Sequence, residues 1–207
     1  INTVYKVQME GLMRLKAMAK INLGLDVLGK REDGYHEVRM IMQTIRMYDI
    51  LDIRKTRRPG IVLTTNLPFI PTDQRNLVYK AAQMLMEEFD VEEGLSIKLR
   101  KFIPVAAGMA GGSSDAAAAF VGVNRMFHLG LTEEQLMERA VKVGADVPYC
   151  IMRGTALAEG IGEKLTRLPE VPKCYVLIGK PGINVSTKTA YENLNLEGIG
   201  KHPDIDG

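Results

Sequence analysis

Residues 104–119 read PVAAGMAGGSSDAAAA. Gly108, Gly111 and Gly112 stand ahead of Ser113, Ser114, Asp115 and a run of alanines. Glycine there lets the backbone take positive φ and approach a ligand closely. The alanines predict a helix, and the first turn of a helix carries unpaired N–H groups and the positive end of its dipole. A strand, IKLRKFI (97–103), precedes the loop. Such a passage favours an anion, most often phosphate. Ser113 and Ser114 can donate to phosphate oxygens or join a metal shell, and Asp115 can cap the helix or sit near a metal or lysine. The same stretch also reads as a packing helix capped by Ser114 or Asp115 behind a plain glycine turn. No Gly-Lys-Ser/Thr ending is present, so it is not a Walker-type P-loop. No GxGxxG is present either, which disfavours a dinucleotide fold and a dehydrogenase.

The chain around this loop has 207 residues, 46% hydrophobic and 25% charged, which suits one large domain or two small ones. Its 27 basic and 25 acidic residues are too balanced for a nucleic-acid binder. The densest basic spot, RKTRRPG (54–60), reads as a solvated turn. No run approaches the roughly 18 apolar residues of a membrane span. The first residues lack a signal-peptide pattern, and Ile1 suggests a longer product. Cys150 and Cys174 have no CxxC or CxxH neighbour, which argues against a disulfide scaffold or zinc site and for a reducing, cytoplasmic setting.

Residues 20–28, KINLGLDVL, alternate: Ile21, Leu23, Leu25 and Val27 on one face, Lys20, Asn22, Gly24 and Asp26 on the other. That predicts a half-buried strand. Asp33-Gly34 marks a turn. Residues 37–47, 49–56 and 60–66 continue as strands, and Pro68 and Pro71 break the pattern. Residues 76–89 change to helical spacing, with Leu77, Ala81, Met84, Leu85 and Glu88 near one stripe. A strand is expected over 95–105, and the helix after the glycine loop extends to about Phe127. Thr132 and Gln135 have capping-box spacing, with a helix ending at Gly144. Strands are expected at 147–154, 155–160 and 173–182, and a short helix with a Ser186 cap at 186–194. Strands and helices mix without regular alternation, so the fold class is α+β.

Two more stretches bear on chemistry. AKINL (19–23) puts Lys20 on the polar face of an early strand with Asn22 beside it. Alone, Lys20 reads as a snorkelling surface lysine. GADVPYC (144–150) sets Asp146 between a helix end and Pro148; alone, it reads as a turn residue. Together with DGYHEV (33–38), GTALAEGIGEKL (154–165) and KPGINVSTKTAYENL (180–194), these pieces resemble the GHMP kinase superfamily, in its order, from about Met13 onward. They are most similar to the branch whose acceptor is a cytidine-diphosphate-linked methylerythritol in non-mevalonate isoprenoid synthesis. GYH and GGSSDAA together distinguish that branch.

The resemblance implies a GHMP fold: an N-terminal domain of ribosomal-protein-S5-like βαβ type over 13–165, after an unmatched leader, 1–12. The start of a ferredoxin-like α/β domain would follow over 166–207. It implies an ATP-dependent kinase phosphorylating the acceptor's 2-hydroxyl, with Mg²⁺ sharing the phosphate charge. Lys20 and Asp146 would be catalytic, Asp146 as base and Lys20 as its charge partner. Pro104, Ala106, Ala107, Gly108, Ala110, Gly111, Gly112, Ser113 and Ser114 would hold ATP, with Ser113 the candidate for a metal shell. Asn22, Tyr35, His36, Asp146 and Tyr191 would bind substrate, His36 reading the cytosine edge between the aromatics. Without the resemblance, Tyr191 reads as a core aromatic, and His36, His128 and His202 as surface histidines. Ala106 and Ala110 replace glycines common in relatives, so negative φ is expected at both. A side chain at Gly111 is expected to block the phosphates. The family continues past Gly207, so weak turnover is expected of a chain that truly stops there. Alternatives are another GHMP small-molecule kinase or a non-catalytic nucleotide binder; a homodimer is possible.

Overall fold

The computed structural model describes residues 11–182, 190, 191, 193–198 and 202–205. Its centre is a long antiparallel pair, β1 (Leu12–Lys30) and β2 (His36–Thr56), joined by the Asp33-Gly34 turn. Gly34 takes φ +85°, which the turn requires, and the amide of Arg31 donates to Tyr35 O at 2.8 Å. β1 pairs with β2 from Leu12↔Arg54 to Lys30↔His36. The other edge of β2 is divided between two partners. Residues 50–56 pair antiparallel with β4 (Gly94–Arg100), and residues 38–43 pair antiparallel with β5 (Thr155–Gly160). β3 (Ile61–Thr65) lies parallel to β4 beyond it, and β6 (Lys164–Arg167) antiparallel to β5. The β3–α1–β4 passage is a βαβ unit, α1 being Leu77–Glu88. The predicted α+β class holds.

The helix α2 (Gly111–Met126) packs on β1 and β2, with α1 beside it. The helix α4 (Val147–Met152) contacts α2 and α3 (Glu133–Ala140). Leu15, Ala17, Leu51, Ile53, Ile97, Leu99, Phe120 and Val123 are buried between these layers. At Gly122 the approach is closest. A Cβ there would lie 2.4 Å from Ile53 Cδ1 and 2.7 Å from Leu15 Cδ1. The Thr132–Gln135 capping box is present in both directions, although α3 ends at Ala140 and not at Gly144.

Several expectations are corrected. Residues 37–47 and 49–56 are one strand, not two. The alternation of β1 breaks at bulges between Met18 and Lys20, Asn22 and Gly24, and Val27 and Gly29. Leu23 and Leu25 are therefore exposed, while Asp26 and Val27 are both buried. Asp26 meets His202 Nδ1 at 2.8 Å. The buried stripe of α1 is Val78, Ala81, Ala82, Leu85 and Met86, rotated from the expected one; Asn76, whose side chain accepts from Val78 N–H, sets its start. β4 ends at Arg100 because side chains take over the next amides, as described below. Residues 147–152 form a helix where a strand was expected. All six are buried, so a short apolar run carries no period to tell the two apart. Pro148 fits the first turn, where its missing N–H costs nothing. Residues 173–182 form no strand. No neighbouring strand pairs with them among the described residues, and Tyr175, Leu177 and Cys174 are exposed. Ser186 lies outside the described residues; Ala190 and Tyr191 are helical.

Candidate active site

The glycine loop starts where β4 ends. Asn66 accepts from the Lys101 amide at 2.8 Å and donates to its carbonyl at 3.1 Å. Asp49 Oδ1, on fully buried β2 backbone, accepts from the amides of Phe102 (2.5 Å) and Ile103 (2.8 Å). These side chains replace a strand ladder and turn the chain out of the sheet. The loop then takes left-handed φ at Ala106 (+53°), Gly108 (+70°) and Ala110 (+53°). Negative φ was expected at both alanines; the structure overturns this. The reason is local. Ala110 is the N-cap of α2 and must reverse the chain, and the helix begins at Gly111, ahead of the serines. Left-handed residues set among ordinary ones turn successive N–H groups into a concave anion-binding arrangement. No side chain caps α2, so its first-turn N–H groups are left to a ligand or water.

The serines divide. Ser114 is buried and its hydroxyl donates to Gly111 O at 3.0 Å, whereas Ser113 is partly exposed. Neither Ser114 nor Asp115 caps the helix. Asp115 instead meets Lys101 Nζ at 2.6 Å, and Lys101 also pairs with Asp49. Burial, ahead of every other influence, pushes the Asp115 carboxyl well above the usual carboxylate range. Gly111 is glycine for a reason that was not anticipated. A Cβ there would lie 3.1 Å from Lys101 Nζ and 3.2 Å from Ile103 Cγ2.

The loop is tied to β1 at one point. The amide of Lys20 donates to Met109 O at 3.2 Å. The bulge at Met18/Lys20 breaks the register at this lysine, as bulges beside active sites do when they re-aim a side chain. Lys20 is buried, its Nζ donating to Asn22 Oδ1 at 3.0 Å and lying 3.7 Å from Asp146 Oδ2. Asp146 is the N-cap residue of α4, but its side chain makes no cap bond and stays one-third exposed. Thr44 locks this corner. Its Oγ1 accepts from Gly154 N–H at 3.1 Å and bonds Tyr149 Oη at 3.0 Å, while Tyr149 Oη donates to Gly154 O at 2.7 Å. Arg153, at φ +60°, donates to Lys16 O at 3.0 Å and ties α4 to β1.

Farther along β1 and β2, the rings of His36 and Tyr191 stack with centroids 5.0 Å apart. Burial raises the Tyr191 hydroxyl above its ordinary value, and the Asp146 carboxylate adds to this. Tyr35 is exposed on the turn. A cavity of about 450 Å³ opens beside the start of the loop, and its lining includes Leu67, Phe69, Lys101, Phe102, Pro104 and Ala106. Phe69 and Phe102, both exposed, were not singled out in the sequence, where Phe69 lies far from the loop and carries no motif. Among the described residues, no group of three or more His, Cys, Asp or Glu side chains could hold a metal.

This constellation has counterparts. Residues 76–154 match the model of the GHMP kinases N terminal domain. A 4-diphosphocytidyl-2-C-methyl-D-erythritol kinase from Lachnospira eligens is 57% identical over 195 residues, covering 94% of this chain and 68% of the relative. The chain belongs to the 4-diphosphocytidyl-2-C-methyl-D-erythritol kinase family. A kinase of that name from Lachnoclostridium phytofermentans is 58% identical, over 95% of the chain and 67% of its own length. A crystal structure of 4-(cytidine 5'-diphospho)-2C-methyl-D-erythritol kinase superposes with a TM-score of 0.74 at 32% identity, covering 89% of this chain and 65% of that one. A homoserine kinase from Cytophaga hutchinsonii, at 18% identity and a TM-score of 0.68, shares the fold. The chain thus spans about two thirds of the length of these relatives. GHMP kinases are ATP-dependent, and the GHMP fold expected from the sequence is the one observed.

Proposed function

We propose that this chain carries the ATP-binding and catalytic part of a 4-diphosphocytidyl-2-C-methyl-D-erythritol kinase, transferring the γ-phosphoryl group of ATP to the acceptor's 2-hydroxyl in non-mevalonate isoprenoid synthesis. The observation that carries this reading is the meeting of Lys20 and Asp146, 3.7 Å apart, on a strand tied directly to the glycine loop. Phosphoryl transfer asks a protein for positioning and charge stabilisation more than for covalent chemistry. Asp146, uncommitted to capping, accepts the hydroxyl proton. Lys20, held by Asn22, stabilises the charge that develops on that oxygen. The N–H groups of 106–113 and the α2 N-terminus face the phosphates, with Ser113 the free hydroxyl. The cavity lined by Phe69 and Phe102 takes the adenine end, a flat ring suited to aromatic contact. His36, Tyr35 and Tyr191 take the cytidine end; His36 and Tyr191 touch, so a base enters beside this stack or by parting it.

Mg²⁺ fits this donor set only as a partner of the nucleotide. With no group of three or more His, Cys, Asp or Glu side chains able to hold a metal among the described residues, and Asp49 and Asp115 both turned to Lys101, the phosphate oxygens would carry most of its coordination and Ser113 would offer one oxygen. Bound there, it would neutralise phosphate charge. The same reading divides the chain into a leader (1–12), a catalytic domain (13–165) and the start of a second domain (166–207). β6 runs to Arg167, two residues past that division. It sets the protein in the cytoplasm and allows a homodimer, which light scattering reads directly.

The test is an acceptor panel with MgATP: the cytidine-linked methylerythritol, homoserine, mevalonate and galactose, followed by ADP release and ³¹P NMR of the product. A new phosphomonoester on the first alone is expected. Phosphorylation of a different acceptor, or of none, overturns the reading.

A further inference from the structure

Lys101 is the buried cation at the foot of the glycine loop. Its side chain is 5% exposed, and its two partners, Asp49 and Asp115, are 0% and 3% exposed. The three come from separate pieces of structure: the middle of β2, the residue just after β4, and the second turn of α2. Lys101 and Gly111 mark the two ends of the loop, and both ends meet at one ammonium group. At the first end it is Lys101's own, with its backbone bracketed by Asn66. At the second, the ammonium lies 3.1 Å from where a Gly111 Cβ would stand and 2.6 Å from Asp115.

A buried ion cluster is a poor way to gain stability, because desolvation consumes most of the attraction. This cluster is poorer still. Two carboxylates share one ammonium, and Asp115 Oδ1 is buried without a hydrogen-bond partner. What the cluster does supply is geometry. Asp49 grips the ammonium with one oxygen and two loop amides with the other. The loop is thereby closed at its base, while the Lys20–Met109 hydrogen bond holds it at its top.

We propose that Lys101, clasped by Asp49 and Asp115, is a positioning residue for the nucleotide, holding the loop and the start of α2 in the conformation that receives the triphosphate. This rests on the kinase reading, and on ATP as the loop's ligand. The ordering is done before ATP arrives, so the clasp acts on nucleotide affinity. The groups that handle the hydroxyl, Lys20 and Asp146, lie outside it.

The experiment compares the full chain with Lys101→Met and Asp49→Asn, measuring ATP affinity by calorimetry and steady-state rates against ATP and against acceptor. Lys101→Met is expected to raise the ATP Kd and KM roughly tenfold or more, with kcat and acceptor KM within about threefold of the parent. Asp49→Asn, which leaves an amide opposite the ammonium, should shift in the same direction. A merely structural role would lower the folded fraction, and so apparent kcat, without moving either KM. Should Lys101→Met fail to fold, Lys101→Gln keeps most of the stem and a donor and carries the test. Lys55→Met, which breaks an exposed pair with Glu93 and a contact over the Phe127 ring, is the control and should match the parent in ATP affinity and both KM values. Parent-like ATP affinity in a folded Lys101 variant overturns the clasp and leaves the kinase reading standing. A parent chain that binds ATP but phosphorylates no acceptor overturns the kinase reading, and the affinities still judge the clasp. A parent chain that binds no ATP overturns both.

Discussion

Asp146 and Lys20 are separated by more than a hundred residues and meet at 3.7 Å. If Asp146 is the base, Asp146→Asn keeps the fold and lowers turnover by roughly 10²–10⁴-fold, measured as ADP release beside an unchanged circular dichroism spectrum. Near-parental turnover would remove it from that role. The loop alanines allow a second test. A left-handed alanine costs about 1–2 kcal/mol relative to right-handed geometry, while a glycine there gives part of this back through the entropy of the unfolded chain. Ala110→Gly should therefore be neutral or stabilising by at most about 1 kcal/mol, and Ala110→Val destabilising by roughly 1–3 kcal/mol, both read from urea midpoints. At this scale the sequence shows which residue types are present, but not which way they point. Lys20 and Asp146 were legible by resemblance to a family; by composition they were an ordinary lysine and a turn aspartate. Ala106 and Ala110 were misread because propensity favours negative φ, and only the chain reversal into α2 overrules it.

The elements show where pattern reading fails and why. α1, α2 and the α3 capping box were visible as periods or caps, whereas the long strands were read only in part, β1 as residues 20–28 and β2 as two strands. VPYCIM was read as a strand, since six consecutive buried residues show no face. KCYVLIGKPG has strand composition, but a strand exists only by pairing, and none occurs there among the described residues. β1 lost its alternation to three bulges, one of them at Lys20. Two variants test how elements are held. Gly122→Val drives a branched side chain into Ile53 and Leu15, and overpacking of this kind should cost roughly 1–3 kcal/mol or more in urea unfolding. Thr44→Val removes the acceptor of the Gly154 amide and one of the two hydrogen bonds of the Tyr149 hydroxyl, leaving the half-buried amide unmatched at a cost of about 1–3 kcal/mol. Stability close to the parent's in either would show that the neighbouring backbone relaxes around the change.

Across the whole molecule, the clasp at Lys101 gives stability an unusual pH dependence. The native Asp115 carboxyl lies above its unfolded value of about 3.9, so between those two values the folded chain binds more protons than the unfolded one. Its contribution to stability is therefore fully present below about pH 4 and lost as pH rises through the native value. Asp52 contributes with the opposite sign, its carboxylate held below the usual range by Arg14, against the opposing pull of burial. Urea midpoints across pH for the parent and Asp115→Asn isolate the first effect: the variant's stability relative to the parent should grow as pH rises, and a constant difference would contradict it. The divided edge of β2 has a kinetic consequence. The β1–β2 ribbon closes through a short turn and can form early. β4 reaches its place from about forty residues away, whereas β5 pairs Val38 with Gly160 across more than a hundred. Until β5 arrives, residues 38–43 present an open row of amides and carbonyls on a nascent chain, and distant pairings of this sort form slowly. Refolding should accordingly be a race between the chain's own late strand and a strand from another molecule, with yields that fall as protein concentration rises.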